Sequence, residues 1–289
     1  MTPRCCDLHM HSTHSDGTMT PRELVLLAKE SGLSAVALTD HDTTSGMAEM
    51  QEAGRELGVR VLSGVEISVD YAGKTVHMLG YCFDTAGEHL QNALDELVRG
   101  RTERNHEIVR KLQGHGIDIC YDEVVAESGG KVVGRPHFAA VLLRKGAVEN
   151  WQQAFDEYLA SGAKAYVDRL KFSPEDSVRM IRDAGGVAVL AHPKFVRLQE
   201  GEQIVDVVER LVEAGLGGIE CWYSMHSPDE TNYYLEIARR FNLVVTGGSD
   251  FHGGVKPDIS MGTGQGSLCV PLSCADAIEA AAKSGGSRP

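Results

Sequence analysis

The segment running from Asp7 to Thr18, Asp-Leu-His-Met-His-Ser-Thr-His-Ser-Asp-Gly-Thr, concentrates side chains that ligate metal ions. His9 and His11 are two residues apart, so on an extended strand both imidazoles project to one face, which is a chelating arrangement. A polar loop with His14 and Asp16 follows, and then Thr20-Pro21-Arg22-Glu23, a capping box with proline at the first helical position. A single histidine is more often a core or surface residue than a ligand. Here the pattern recurs at the ends of other apolar runs: His41 after residues 34–39, Glu66 after 60–65, His192 after 186–191, and Asp250 and His252 after 243–246. His77 lies within a further alternating run at 75–82.

Histidine with carboxylate, and without thiolate, is the donor set of Mn²⁺, Fe²⁺ or Zn²⁺ hydrolytic sites rather than of structural zinc. His9, His11, Asp16, His41, Glu66, His77, His192, Asp250 and His252 are too many ligands for one ion. Spread over two or three, they leave positions for water, and Glu66 can bridge. Ions about 3.5–4 Å apart acidify water and neutralise phosphoryl oxygens, so phosphate ester hydrolysis is the natural reaction.

The elements that must position these groups follow a βα rhythm. Buried strands at 34–39 and 60–65 flank a helix at 45–57, and polar residues sit at the strand exits, as in an α/β barrel. From residue 87 the pattern becomes helical, and it stays so to about residue 162. We read 99–171 as an inserted helical subdomain covering the active site, with 1–98 and 172–289 forming the barrel. The rhythm returns with a helix capped by Ser173-Pro174, strands at 186–191, 218–222 and 243–246, and a helix capped by Ser227-Pro228.

The insertion carries 12 Lys and Arg against 10 Asp and Glu, whereas the whole chain of 289 residues has a formal net charge of −13. Basic residues there could meet an anion over the metal site. Gly134-Arg135-Pro136-His137 sets a guanidinium and an imidazole at a helix start, which suits phosphate. His226 stands just before a helix N-terminus and suits a proton donor or a phosphate contact. An acidic protein of this kind is a poor partner for long nucleic acid, whose backbone selects basic surfaces. Seven cysteines with no C-x-x-C pair indicate neither a disulfide framework nor a thiolate zinc site, and a reducing, cytoplasmic setting fits best. No apolar run approaches the roughly 20 residues of a membrane span, and no obligate protein partner is indicated.

His-Met-His at 9–11, Ser-Asp-Gly at 15–17, Thr-Asp-His-Asp at 39–42, Gly-Val-Glu at 64–66, His-Met-Leu-Gly-Tyr at 77–81, Gly-Arg-Pro-His at 134–137, Ala-His-Pro at 191–193 and Gly-Ser-Asp-Phe-His-Gly at 248–253 resemble the PHP (polymerase and histidinol phosphatase) family of metal-dependent phosphoesterases. The resemblance spans nearly the whole chain and is strongest to the nucleoside 3′,5′-bisphosphate phosphatase branch. It implies a distorted seven-stranded β/α barrel with a centre of three ions, often manganese. By motif, His9, His11, Glu66 and Asp250 would hold one ion, Asp16, His41 and His252 a second, and Glu66, His77 and His192 a third. Arg135, His137 and His226 would face a small nucleotide substrate. Relatives commonly have glycine after Ala-His-Pro and proline near 163–165, where this chain has Lys194 and Lys164; these lysines join the expected substrate contacts. The expected reaction is removal of the 3′-phosphate from a nucleoside 3′,5′-bisphosphate. The alternatives are a 5′-to-3′ exoribonuclease on short 5′-phosphorylated RNA, a histidinol phosphatase, and a non-catalytic metal-binding module; the last would be expected to carry ligand substitutions.

Overall fold

The computed structural model describes residues 4–128 and 132–285. It divides into two compact units, Met1–Leu94 with Lys171–Pro289, and Asp95–Leu170.

The first unit is a mixed α/β structure. In chain order it contains β1 (Cys5–Asp7), α1 (Pro21–Glu30), β2 (Ala35–Ala37), α2 (Met47–Leu57), β3 (Arg60–Leu62), β4 (Gly64–Tyr71) and β5 (Lys74–Tyr81). After the helical unit come α7 (Pro174–Asp183), β6 (Val187–Leu190), α8 (Ile204–Ala214), β7 (Gly218–Tyr223), α9 (Pro228–Phe241), β8 (Val244–Gly248), β9 (Val270–Pro271) and α10 (Leu272–Lys283). The helix starts are fixed by local chemistry. Thr20 accepts from the Glu23 N–H at 3.3 Å while Glu23 accepts from the Thr20 N–H at 2.8 Å, and Ser227 and Glu230 do the same for α9.

The strands form two sheets, in the orders β3-β2-β1-β9 and β4-β5-β6-β7-β8. Among the described residues, nine strands in two open sheets thus stand where the sequence led us to expect one seven-stranded barrel. Two features account for the difference. Residues 60–71 give two strands, and β4 pairs antiparallel with β5 through a turn in which Ala72 and Gly73 are both left-handed (φ 50° and 74°), the turn that matches strand twist. The ladders also stop where Asp42, His192 and Asp250 take positive φ (57°, 23° and 58°), so the sheet edges meet through isolated pairs, Met10 with Phe251 and His41 with Glu66.

The core of this unit lies between the sheets and α10, around Leu8, Leu79, Tyr81, Val189 and Ile278. A second cluster packs α1 and α2 against β2 through Leu24, Val36 and Met50. Antiparallel pairing of β1 with β9 sets Cys5 opposite Pro271, and Cys5 is joined to Cys269 in a disulfide with Cα atoms 5.4 Å apart. This corrects the expectation of no disulfide. The partners are 264 residues apart, and only the strand pairing brings them together.

The helical unit holds most of α3 (Glu88–Gly114), with α4 (Tyr121–Glu127), α5 (Arg135–Arg144) and α6 (Trp151–Ala154). Its own core gathers Ile108, Leu112, Phe138, Leu142 and Leu159. Among the described residues no helix is long and apolar enough to cross a membrane.

Candidate metal centre

The strand ends of the first unit converge. His9 and His11 leave β1, His41 leaves β2, Glu66 and His77 lie on β4 and β5, His192 follows β6, and Asp250 and His252 follow β8. All nine predicted ligands, Asp16 included, fall into four overlapping groups whose donor atoms lie within 4.8 Å of one another: His11 with Asp16, His41 and His252; His9 with Glu66 and His192; His9 with His11 and Asp250; and His41 with Glu66 and His77. Glu66 is the hub. Its Oε2 is 3.4 Å from His9 Nε2, 3.2 Å from His11 Nε2 and 3.0 Å from His41 Nδ1, while Oε1 is 2.9 Å from His77 Nδ1 and 3.0 Å from His192 Nε2.

The donor set fits divalent metal. Nε2 of His9 and of His11, Nδ1 of His41 and Oε2 of Glu66 are buried without a hydrogen-bond partner. Buried polar groups are otherwise satisfied almost without exception, so four orphaned ligand atoms in one cluster mark a place for cations. The charges point the same way. Burial opposes ionisation of Asp16, Glu66 and Asp250, yet the surrounding imidazoles hold all three well below the usual carboxylate range. Burial also opposes charge on His9 and His11, but the carboxylates raise His9 well above its usual range and His11 to about 9. His41, where burial prevails, is pushed down to about 3. Metal binding would displace the protons held by His9 and His11.

A surrounding layer sets these ligands, and the sequence reading missed it. Glu220 of β7 accepts from His9 Nδ1 at 2.9 Å and, through its other oxygen, from the His192 N–H at 2.7 Å. A lone acid in the apolar run Gly-Ile-Glu-Cys-Trp-Tyr was the available signal, since a buried carboxylate needs partners. Asp40 accepts from the Ser12 N–H, Ser12 Oγ and Ser15 Oγ at 2.6–2.7 Å, which ties down the loop carrying Asp16. Asp7 accepts from the Ser249 N–H at 2.9 Å and the Gly262 N–H at 2.7 Å, ahead of Asp250. Gly248 has no room for a side chain: a Cβ there would lie 2.4 Å from the Cβ and backbone nitrogen of His9.

Beside the ligands is a cavity of about 300 Å³, lined by His41, Glu66, His77 and His192, with Tyr223, Phe195 and Lys256 among its other walls. Tyr223 donates to Asp250 Oδ2 at 2.8 Å and Lys256 Nζ lies 2.7 Å from the same oxygen, so a phenol and an ammonium face the cavity.

The expected substrate contacts are distributed differently. Lys194 is held by the Met225 carbonyl at 2.9 Å and Glu230 at 3.0 Å. His226 donates from Nδ1 to the Cys221 carbonyl at 2.9 Å, its Nε2 is buried and unpartnered, and burial lowers its pKa. A neutral imidazole so held offers Nε2 as an acceptor, so it must take up a proton before it can donate one. Arg135, His137 and Lys164 belong to the helical unit. Arg135 donates to the Leu159 carbonyl at 3.2 Å, His137 Nδ1 accepts from the Gly134 N–H at 2.9 Å, and Lys164 pairs with Glu157 at 3.0 Å.

A mixed α/β unit whose strand ends gather nine His, Asp and Glu side chains around an apolar-walled cavity defines a metal-dependent hydrolase. The chain belongs to the PHP domain family, whose model matches residues 7–168, and is a phosphoesterase of that family. Among curated relatives it is 38% identical over 251 residues to a 3′,5′-nucleoside bisphosphate phosphatase of Chromobacterium violaceum, covering 85% of this chain and 86% of that protein. It is 35% identical to a 5′-3′ exoribonuclease of Haemophilus influenzae, covering 85% and 89%. A solved structure from Bifidobacterium adolescentis, provisionally assigned as a metal-dependent phosphoesterase, superposes with a TM-score of 0.83 at 32% identity over 96% of this chain and 97% of that one.

Proposed function

We propose that the protein removes the 3′-phosphate from nucleoside 3′,5′-bisphosphates, such as 3′-phosphoadenosine 5′-phosphate, to give the 5′-monophosphate and phosphate. The observation that carries the reading is the open cavity on the nine-residue cluster, of a size for a small nucleotide rather than a polymer groove; the 38% identity to a bisphosphate phosphatase supports the substrate class. We also read the two bridged sheets as one distorted seven-stranded barrel in which β3 and β4 act as a single strand and the two-residue β9 lies outside the count.

His9, His11, Asp16, His41, Glu66, His77, His192, Asp250 and His252 would hold the ions, for which we propose three Mn²⁺. Such ions, when bound, supply Lewis acidity at the phosphoryl oxygens and water of lowered pKa. Glu220 fixes the His9 tautomer, because a carboxylate can only accept and Nδ1 therefore carries the proton. Lys256 offers an ammonium to a phosphoryl oxygen from the cavity wall, and Phe195 excludes water beside it. His226, once protonated, is assigned the proton for the leaving 3′-oxygen. Arg135, His137, Lys164 and Lys194 are assigned to the substrate by family resemblance.

The test is phosphate release from nucleoside 5′-, 3′- and 3′,5′-phosphates and from short 5′-phosphorylated RNAs, with manganese-loaded enzyme. Selectivity for the 3′,5′-bisphosphate with the 5′-monophosphate as product is the expected result. Equal or faster turnover of di- and trinucleotides would instead establish the second reading, an exoribonuclease, which the 35% identity to such an enzyme favours.

A further inference from the structure

We propose that Phe195 and Met225 form a stacking platform for the base of the nucleotide, so that one apolar wall of the metal cavity sets the preference for nucleotides over base-free sugar phosphates. The inference rests on the preceding reading of the substrate as a nucleotide, and it assigns the residues that recognise the organic half of that molecule.

Beyond the candidate metal ligands, the cavity wall is largely apolar, with Val76, Phe195, Val196 and Met225. Val196 is buried, whereas Phe195 and Met225 are 43% and 44% exposed. A large apolar side chain standing singly on a surface needs no explanation. Two on the wall of one cavity mark a surface that a ligand covers.

The platform is braced from behind. The Phe195 N–H donates to the His192 carbonyl at 3.0 Å, which closes the turn that carries the ring. The ring meets Tyr223 and His192 edge to face, with centroids 6.0 and 5.6 Å apart and interplanar angles of 84° and 65°. Met225 lies in the turn after β7, and Lys194 ties the two segments together by donating to the Met225 carbonyl at 2.9 Å while pairing with Glu230 at 3.0 Å. Because His192 is also a candidate metal ligand, the platform begins one ring away from the cluster.

That placement suits a nucleoside 3′-phosphate, in which the base leaves the sugar close to the carbon bearing the phosphate. A planar base laid against a phenyl ring and a thioether gains stacking and dispersion that a bare sugar lacks.

The test compares kcat/KM of manganese-loaded enzyme on 3′-phosphoadenosine 5′-phosphate and on 1-deoxyribose 3,5-bisphosphate, which has no base. In Phe195→Ala the ratio of the two should fall about 5- to 150-fold, chiefly through KM of the nucleotide, and Phe195→Trp should restore it. Met225→Ala should lower the ratio about 2- to 10-fold. If Phe195 only shields the cavity from water, both substrates suffer alike, and an unchanged ratio would overturn the proposal. Should Phe195→Ala not fold, Phe195→Leu, which keeps apolar bulk and removes the aromatic face, decides by the same ratio. A second measurement needs no turnover: 2-aminopurine riboside 5′-monophosphate loses fluorescence when its base stacks on an aromatic ring. Wild type should quench it saturably and Phe195→Ala should not. Failure to hydrolyse bisphosphates with this quenching intact would overturn the proposed reaction and leave the platform standing. Hydrolysis of bisphosphates with the ratio unchanged would overturn the platform and leave the reaction standing.

Discussion

Nδ1 of His9 lies 2.9 Å from Oε1 of Glu220, a residue 211 positions away that reaches no other ring in the cluster and yet decides which nitrogen of His9 is free. With the proton fixed on Nδ1, Nε2 points at Glu66 and Asp250, 3.4 and 3.6 Å away. Glu220→Gln presents an amide that can donate as well as accept, so the tautomer is no longer fixed. Metal affinity should drop roughly 10–100-fold. Competition against a fluorescent chelator measures it; unchanged affinity would remove Glu220 from the metal's supporting layer.

Gly248→Ala tests the close approach of β8 to His9. The added Cβ would meet the Cβ and backbone nitrogen of His9 at 2.4 Å, and neither can swing aside as the end of a flexible side chain could. We expect a loss of stability of about 1–3 kcal/mol or more, as for overpacked cores, together with reduced metal content. Denaturant titration and metal analysis of the same sample check both.

Metal removal should destabilise the first unit through mass action and through the four buried ligand atoms left without partners. At an ion concentration of about 1,000 times Kd the linkage amounts to about 4 kcal/mol. Thermal scans with Mn²⁺ and with chelator should differ by several degrees, and a midpoint independent of metal would contradict the site.

His226 gives a prediction in pH. Burial lowers its pKa from the ordinary 6.5, opposed by its bond to the Cys221 carbonyl. The unfolded chain takes up a proton near 6.5 while the folded chain resists it, so the stability that neutral His226 contributes is complete above 6.5 and is lost as pH falls towards the lower folded value. His226→Gln removes this dependence. The difference in unfolding free energy between wild type and variant should therefore shift in favour of the variant between pH 8 and pH 5.5, and a constant difference would show that His226 is not held neutral.

The same variant tests proton donation. A general acid is worth roughly 10²–10⁴-fold where the leaving group needs a proton. His226→Gln should depress kcat on a nucleoside 3′,5′-bisphosphate by that order and spare p-nitrophenyl phosphate, whose leaving group departs unprotonated. Equal loss on both would assign His226 to binding.

Much of the site was legible because its signals are local. The i, i+2 spacing of His9 and His11 fixes a shared face by strand geometry alone, and capping residues at Thr20, Ser173 and Ser227 place helix starts through contacts three residues long. Strand exits carrying Asp, Glu or His single out most of the remaining candidate ligands, since such residues are poorly tolerated in an apolar run without a role; His77 lies inside its strand. The tertiary structure decided what depends on long-range pairing. The β4–β5 hairpin and the two-sheet arrangement follow from which strands hydrogen-bond, and the Cys5–Cys269 disulfide follows from β9 returning to β1. The tie between Glu220 and His9 is likewise absent from any sequence spacing. Side-chain types and near-neighbour spacing determine which groups a chain can offer; burial and register, set only when distant segments pack, determine which of them meet.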